Sequence, residues 1–110
     1  MAKEFVAIIS IINTGYSDLV MESAKSAGAR GGTIFSARGS GNNDIEKFFG
    51  VNITPEKDIV LILVKKDIQD KVLHAINEGA GMNTKGQGIA FSIPVEDTVG
   101  FDFQEASTGK

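Results

Sequence analysis

Three glycine-rich segments carry the residue types that hold small anions: Gly31-Gly32, Gly39-Ser40-Gly41 and Gly86-Gln87-Gly88. Glycine-rich turns expose backbone N–H groups that can cradle a phosphate or a carboxylate. The same glycines also serve tight turns that need positive φ. None of the three matches the dinucleotide or P-loop fingerprint. Arg38 directly precedes the second segment and is the cation aimed at such a turn; Lys85 directly precedes the third. Catalytic chemistry is sparse. His74 is the single histidine. It lies about 200° around a helix from Val72, opposite the apolar stripe, and so faces solvent. No serine has a histidine–carboxylate partner set. A metal site would need oxygen ligands, and Asn42, Asn43, Asp44 and Glu46 lack the spacing of a calcium loop. The adjacent Glu96 and Asp97 would point to opposite faces of a strand. These carboxylates read as solvated charge, and the chain reads as a non-enzymatic protein that requires no cofactor and holds no metal.

The elements that must position the glycine segments follow from apolar spacing. Glu4 to Asn13, "EFVAIISIIN", is β-rich, and Thr14-Gly15 breaks it. Leu19, Val20, Ala24 and Ala27 have helical spacing, with Gly28 as the stop. "GGTIFSAR" is a second strand that alternates Thr33, Phe35 and Ala37 against Ile34, Ser36 and Arg38. Gly39 to Lys57 is an irregular connection. "DIVLILV", from Asp58, is the third strand. Asp67 is the expected N-cap of a second helix, whose stripe is Ile68, Val72, Ala75 and Ile76 and which Gly79 and Gly81 end. "GIAFSIPV", Gly88 to Val95, is the fourth strand. The order is β-α-β, a long loop, then β-α-β. That is a ferredoxin-like α+β fold, a βαββαβ antiparallel sheet with both helices on one face.

The chain has 110 residues and a formal charge of −3. This length fits one domain, 1–110, and the charge implies no field-driven binding to nucleic acid. There is no cysteine, which fits a reducing compartment. The apolar run Phe5–Ile12 is too short to span a bilayer and reads as a strand of a cytoplasmic protein. Strands with one wet face alternate apolar and polar residues, but "VAII" and "IVLILV" are apolar on both sides. Two helices cover one face. The other is covered either by the tail 96–110 folding back or by self-association.

The segments "GARGGTIFSARGSG", "PEKDIVLILV" and "KGQGIAFSIPV", in this order and spacing, resemble the PII signal-transduction superfamily, the nitrogen regulatory P-II proteins and their PII-like members. The resemblance runs from about residue 4 to 101. It implies a homotrimer, with an adenine-nucleotide site in each cleft between subunits. It also implies a T-loop between strands two and three, here 39–57, that contacts a partner protein such as a membrane transporter or a metabolic enzyme. Gly31, Gly32 and Thr33 match the family's segment near adenine and ribose. Arg38, Gly39 and Gly41 match the base of the T-loop. Gly86, Gln87 and Gly88, with Lys85 before them, match the B-loop around the nucleotide phosphates. The family's phosphate-binding lysine falls on Ile89, its two C-terminal arginines near Gly100 and Asp102, and its lower T-loop arginine on Asn42. Each charged hydrogen bond is worth roughly 1.5–3 kcal/mol, so the resemblance implies an effector with few phosphates, AMP or ADP before ATP, or another small anion. The loop has no tyrosine to modify; the only one is Tyr16.

Within the loop, Ile45, Phe48 and Phe49 have helical spacing and form one apolar face. They are either core residues or the anchors for the partner. Two rivals share the fold: a CutA-type trimeric divalent-metal-binding protein, and a small enzyme of the acylphosphatase kind using Arg38 and Asn42.

Overall fold

The computed structural model describes residues 4–39 and 56–100. The chain runs β1 (Phe5–Asn13), α1 (Ser17–Ser26), β2 (Thr33–Arg38), β3 (Glu56–Lys65), a 3-10 turn (Lys66–Ile68), α2 (Gln69–Ala80) and β4 (Ile89–Val95). The strands form one sheet in the order β2-β3-β1-β4. Every pairing is antiparallel. This is the ferredoxin-like arrangement expected from the sequence.

The register separates two faces that hydrophobicity alone leaves alike. Val6, Ile8, Ser10 and Ile12 of β1 are buried, as are Val60, Ile62 and Val64 of β3. They meet Val20 and Ala24 of α1 and Val72, Ile76 and Ala80 of α2 in one core. The odd-numbered residues lie on the face without helices. There the rows Thr33–Leu61–Ile9–Phe91 and Phe35–Ile59–Ile11–Ile89 cross all four strands. Phe35, Ile89, Phe91 and Ile93 are each more than two-fifths exposed. Val99, the apolar residue of the tail that is described, is itself 82% exposed and does not cover them.

Local chemistry sets the element ends. Gly28, at φ +112, closes α1 as predicted. Its N–H donates to the Lys25 carbonyl and that of Ala29 to Ala24, the paired bonds of a Schellman motif. The start of α2 differs from the expected Asp67 cap. Asp67 falls inside the 3-10 turn, Ile68 takes the cap position, and no side chain caps the helix. The turn instead lays Ile68 on the core beside Gly28. Gly79 lies within α2, which runs to Ala80 and is capped by Gly81. Strand β3 begins at Glu56, so the polar Glu56 and Lys57 at the end of the expected loop are strand residues. Pairing with Arg38 and Ala37 holds them there. Among the described residues no helix is long and apolar enough to cross a membrane.

Ser10 is fully buried in the middle of β1, and among the described residues its hydroxyl has no hydrogen-bond partner. A buried polar group left unpaired costs about 1–3 kcal/mol. Replacing Ser10 by Ala removes that cost and leaves the register intact. Ser10→Ala is expected to raise the melting temperature by several degrees; an equal fall would show that the hydroxyl is satisfied.

Candidate functional site

Antiparallel pairing brings the C-terminal ends of β1 and β2 and the N-terminal ends of β3 and β4 to one edge of the fold. Arg38 and Gly39 leave β2 there, and Glu56 and Lys57 enter β3 opposite them. A cleft of about 380 Å³ at this end is lined by Thr14, Ser36, Ala37, Arg38, Glu56 and Lys57. At the other side of the same end, the loop 81–88 leads into β4.

The loop is held from within. The Thr84 N–H and hydroxyl both donate to the Gly81 carbonyl, at 3.0 and 2.8 Å. The Gln87 N–H donates to the Thr84 carbonyl at 3.1 Å and the Gly88 N–H to the Ala80 carbonyl at 2.8 Å. Asn13 ties the loop to the sheet. Its main-chain N–H donates to the Gly86 carbonyl at 3.0 Å and its Nδ2 to the Lys85 carbonyl at 3.1 Å. Across the sheet, Lys57 Nζ donates to Asn13 Oδ1 at 2.8 Å. The turn after β1 is fastened as well, with the Gly15 N–H donating to Asp58 at 3.3 Å.

Among the glycines of the predicted anion segments, Gly32 and Gly88 are required by close approach and not by positive φ. Gly31, Gly32, Gly39, Gly86 and Gly88 all lack positive φ; within Gly86-Gln87-Gly88 it is Gln87 that has it, at φ 48. The constraint is close approach. A Cβ on Gly88 would lie 2.5 Å from the Ala80 carbonyl oxygen and from Ile12 Cγ2. One on Gly32 would lie 2.7 Å from the Leu61 carbonyl oxygen. Gly39 packs on the Lys57 stem, whereas Gly31 faces open space.

The structure therefore places Arg38, Gly39, Lys85, Gly86, Gln87 and Gly88 along one end of the sheet, Arg38 and Gly39 on its β2 side and the loop on its β4 side. It does not bring Gly31, Gly32 and Thr33 to the loop 84–88 within one chain. Thr33 pairs with Leu61 on the β2 edge, and β3 and β1 separate that edge from β4. At about 4.8 Å per strand this is roughly 14 Å. Gly41, Ile45, Phe48 and Phe49, with Asn42, lie outside the described residues. A second cavity, of about 340 Å³, has Phe5, Leu63 and Ile68 in its wall and Arg30, Lys65, Asp67 and Lys71 around it. Ile89, where a phosphate-binding lysine was implied, is 56% exposed on the helix-free face. His74 lies on the solvent side of α2, 3.5 Å from Glu78. The Glu96-Asp97 pair follows β4 rather than extending it, and Asp97 accepts the Thr98 N–H at 2.9 Å. Among the described residues no group of three His, Asp or Glu is placed to hold a metal. Asn13 and Lys57 were not among the sequence candidates. Nothing in "IIN" or "PEK" marks them, because their meeting depends on strand register.

The fold is a ferredoxin-like domain with a glycine loop and the base of a long connection at one sheet end. The model of the family "Nitrogen regulatory protein P-II" matches residues 5–102. The chain belongs to that family, whose members are regulators. Among solved structures, that of Arabidopsis thaliana PII bound to citrate superimposes with a TM-score of 0.69 at 28% identity. The match covers 98% of this chain and 88% of that one. No curated protein sequence matches the chain significantly.

The packing around Gly88 separates two causes of lost binding. Overpacking against a backbone carbonyl costs about 1–3 kcal/mol. Gly88→Ala is therefore expected to lower the melting temperature by several degrees with no ligand present. Gly86→Ala, whose Cβ would meet its nearest neighbour at 3.3 Å, is expected to leave it nearly unchanged. Thermal denaturation of the two variants side by side checks this; equal melting would refute the packing account.

Proposed function

We propose that the chain is a PII-like signal-transduction regulator. It binds a small anionic effector between subunits and controls a partner protein through the loop 39–57. The observation that carries this reading is the hydrogen-bonded link from the glycine loop through Asn13 to Lys57, which stands beside the Arg38–Gly39 base of the long connection at the same sheet end. An anion held beside Lys57 lies next to the segment that leads to 40–55 and is linked to the loop through Asn13. The citrate bound by the Arabidopsis protein supports a small, highly charged anion as the effector class.

The preferred effector is an adenine nucleotide with few phosphates. The Gln87 and Gly88 N–H groups already donate within the chain, which leaves fewer backbone donors for a phosphate chain. The cations implied at Ile89, Gly100 and Asn42 are missing. Gly31, Gly32 and Thr33 would complete the site from a neighbouring subunit's cleft, since one chain holds them apart from the loop. Ile45, Phe48 and Phe49 serve as the anchors for a transporter or metabolic enzyme, and the protein works in the cytoplasm without catalysing a reaction.

Calorimetric titration with AMP, ADP and ATP tests the effector. AMP or ADP is expected to bind more tightly than ATP; tighter ATP binding would overturn the phosphate argument. Gly86→Ala is expected to weaken binding without lowering stability, and Ile89→Lys to strengthen ATP binding.

The helix-free face supports a trimer. Its rows of Leu61, Ile9, Phe91, Phe35, Ile59 and Ile11 form a continuous apolar surface of the kind soluble monomers do not leave in water. Leu61→Asp at the centre of that face is expected to convert the trimer to monomer or to insoluble protein. Multi-angle light scattering reads the outcome, and a wild-type monomer at micromolar concentration would refute the assembly.

A further inference from the structure

We propose that Asn13 is the positioning residue that couples the glycine loop to the base of the long connection. This deepens the regulatory reading above and rests on it only for the identity of the ligand. Besides accepting the Tyr16 N–H at its carbonyl, this one residue makes three hydrogen bonds that join the loop to Lys57. Its main-chain N–H and its Nδ2 hold the Gly86 and Lys85 carbonyls, and its Oδ1 accepts Lys57 Nζ. Lys57 in turn is the register partner of Ala37, and its stem lies against Gly39, the last described residue before the 40–55 segment. A continuous path therefore runs from Lys85–Gly86 through Asn13 and Lys57 to Gly39.

The chemistry requires a carboxamide. The Lys57 ammonium carries donors only, so it needs an acceptor; the Lys85 carbonyl needs a donor. The two ends of Asn13 supply both. The reverse orientation of the amide would set its NH2 against the ammonium and its oxygen against the carbonyl. An aspartate would satisfy Lys57 and lose the loop; an alanine would lose both. A ligand that draws Lys57 or Lys85 toward itself changes one end of the amide and so reorients the other. Because the main-chain bond to Gly86 belongs to the same residue, the loop shifts with the β1 end rather than independently.

Amide hydrogen exchange on the full-length chain tests the coupling in two arms. In the ligand-free arm, Lys57→Met is expected to speed exchange of the Gln87 and Gly88 amides about fivefold, the scale of one side-chain hydrogen bond. In an Asn13→Ala background the same substitution is expected to change nothing further. Asn13→Asp is expected to loosen the loop as alanine does while protecting the Arg38 and Gly39 amides as the wild type does. No effect of Lys57→Met on the loop, or an equal effect in both backgrounds, overturns the coupling. In the second arm ADP is the probe. Binding is expected to alter exchange at Arg38–Gly39 and Glu56–Asp58 in the wild type, and this distant response is expected to vanish in Asn13→Asp while affinity changes less than fivefold. A distant response that persists in Asn13→Asp overturns the coupling. Failure of ADP to bind the wild type would sink the nucleotide reading instead, and the ligand-free arm would still decide the role of Asn13.

Discussion

Two helices can cover only one face of a four-stranded sheet, and this chain is apolar on both. Ile8, Ile12, Val60 and Ile62 are fully buried against the helices, while Ile9, Ile11, Ile59 and Leu61 point away from them. Burying an aliphatic side chain is worth roughly 1.5–3 kcal/mol, so the second face is too costly to leave wet. An uncovered apolar face of this size favours self-association. Gly31–Thr33 and Lys85–Gly88 stand on opposite sheet edges, so they do not meet within one chain.

The sheet order does the remaining positioning. In the order β2-β3-β1-β4 with every neighbour antiparallel, four strand termini converge without any dedicated scaffold. The long connection starts and ends there, at Gly39 and Glu56, and so does the glycine loop. Strand pairing alone thus brings the glycine loop and the base of the long connection to the same sheet end. What pairing does not supply is stiffness between the two. The register match of Asn13 with Lys57 supplies it, because two polar side chains at a sheet end meet without burying an unpaired charge.

The fold was legible in the sequence because its signals are periodic. The helical stripes of Val20 and Ala24 and of Val72 and Ile76, and the glycine at the end of α1, all serve in the structure as the sequence predicts. The expected Asp67 cap was misleading, since an apolar contact of Ile68 overrode a capping preference worth about 1 kcal/mol. The site was legible only in part. Arg38 and the Lys85–Gly88 loop could be found from composition, but Asn13 and Lys57 could not. Each is an ordinary strand-end residue until the register of β1 against β3 sets them side by side. Which face of β3 the helices cover was equally hidden, since a strand apolar on both sides carries no phase.

In the glycine loop, packing constrains the residues that the sequence marks as an anion cradle. A loop that a ligand must order gives up affinity to that ordering. Here the Gln87 and Gly88 N–H groups are bound to Thr84 and Ala80, and Gly88 is pressed between Ala80 and Ile12. The loop is shaped before any ligand arrives. Part of the cost of that shape is Gln87 in the left-handed region at φ 48, of the order of 1 kcal/mol for a residue with a Cβ. Internal bonds hold the residue there. A preformed loop loses free backbone donors but keeps its geometry, and any recognition of an anion at this edge would then fall to the side-chain cations that stand at the strand and loop ends, Arg38, Lys57 and Lys85.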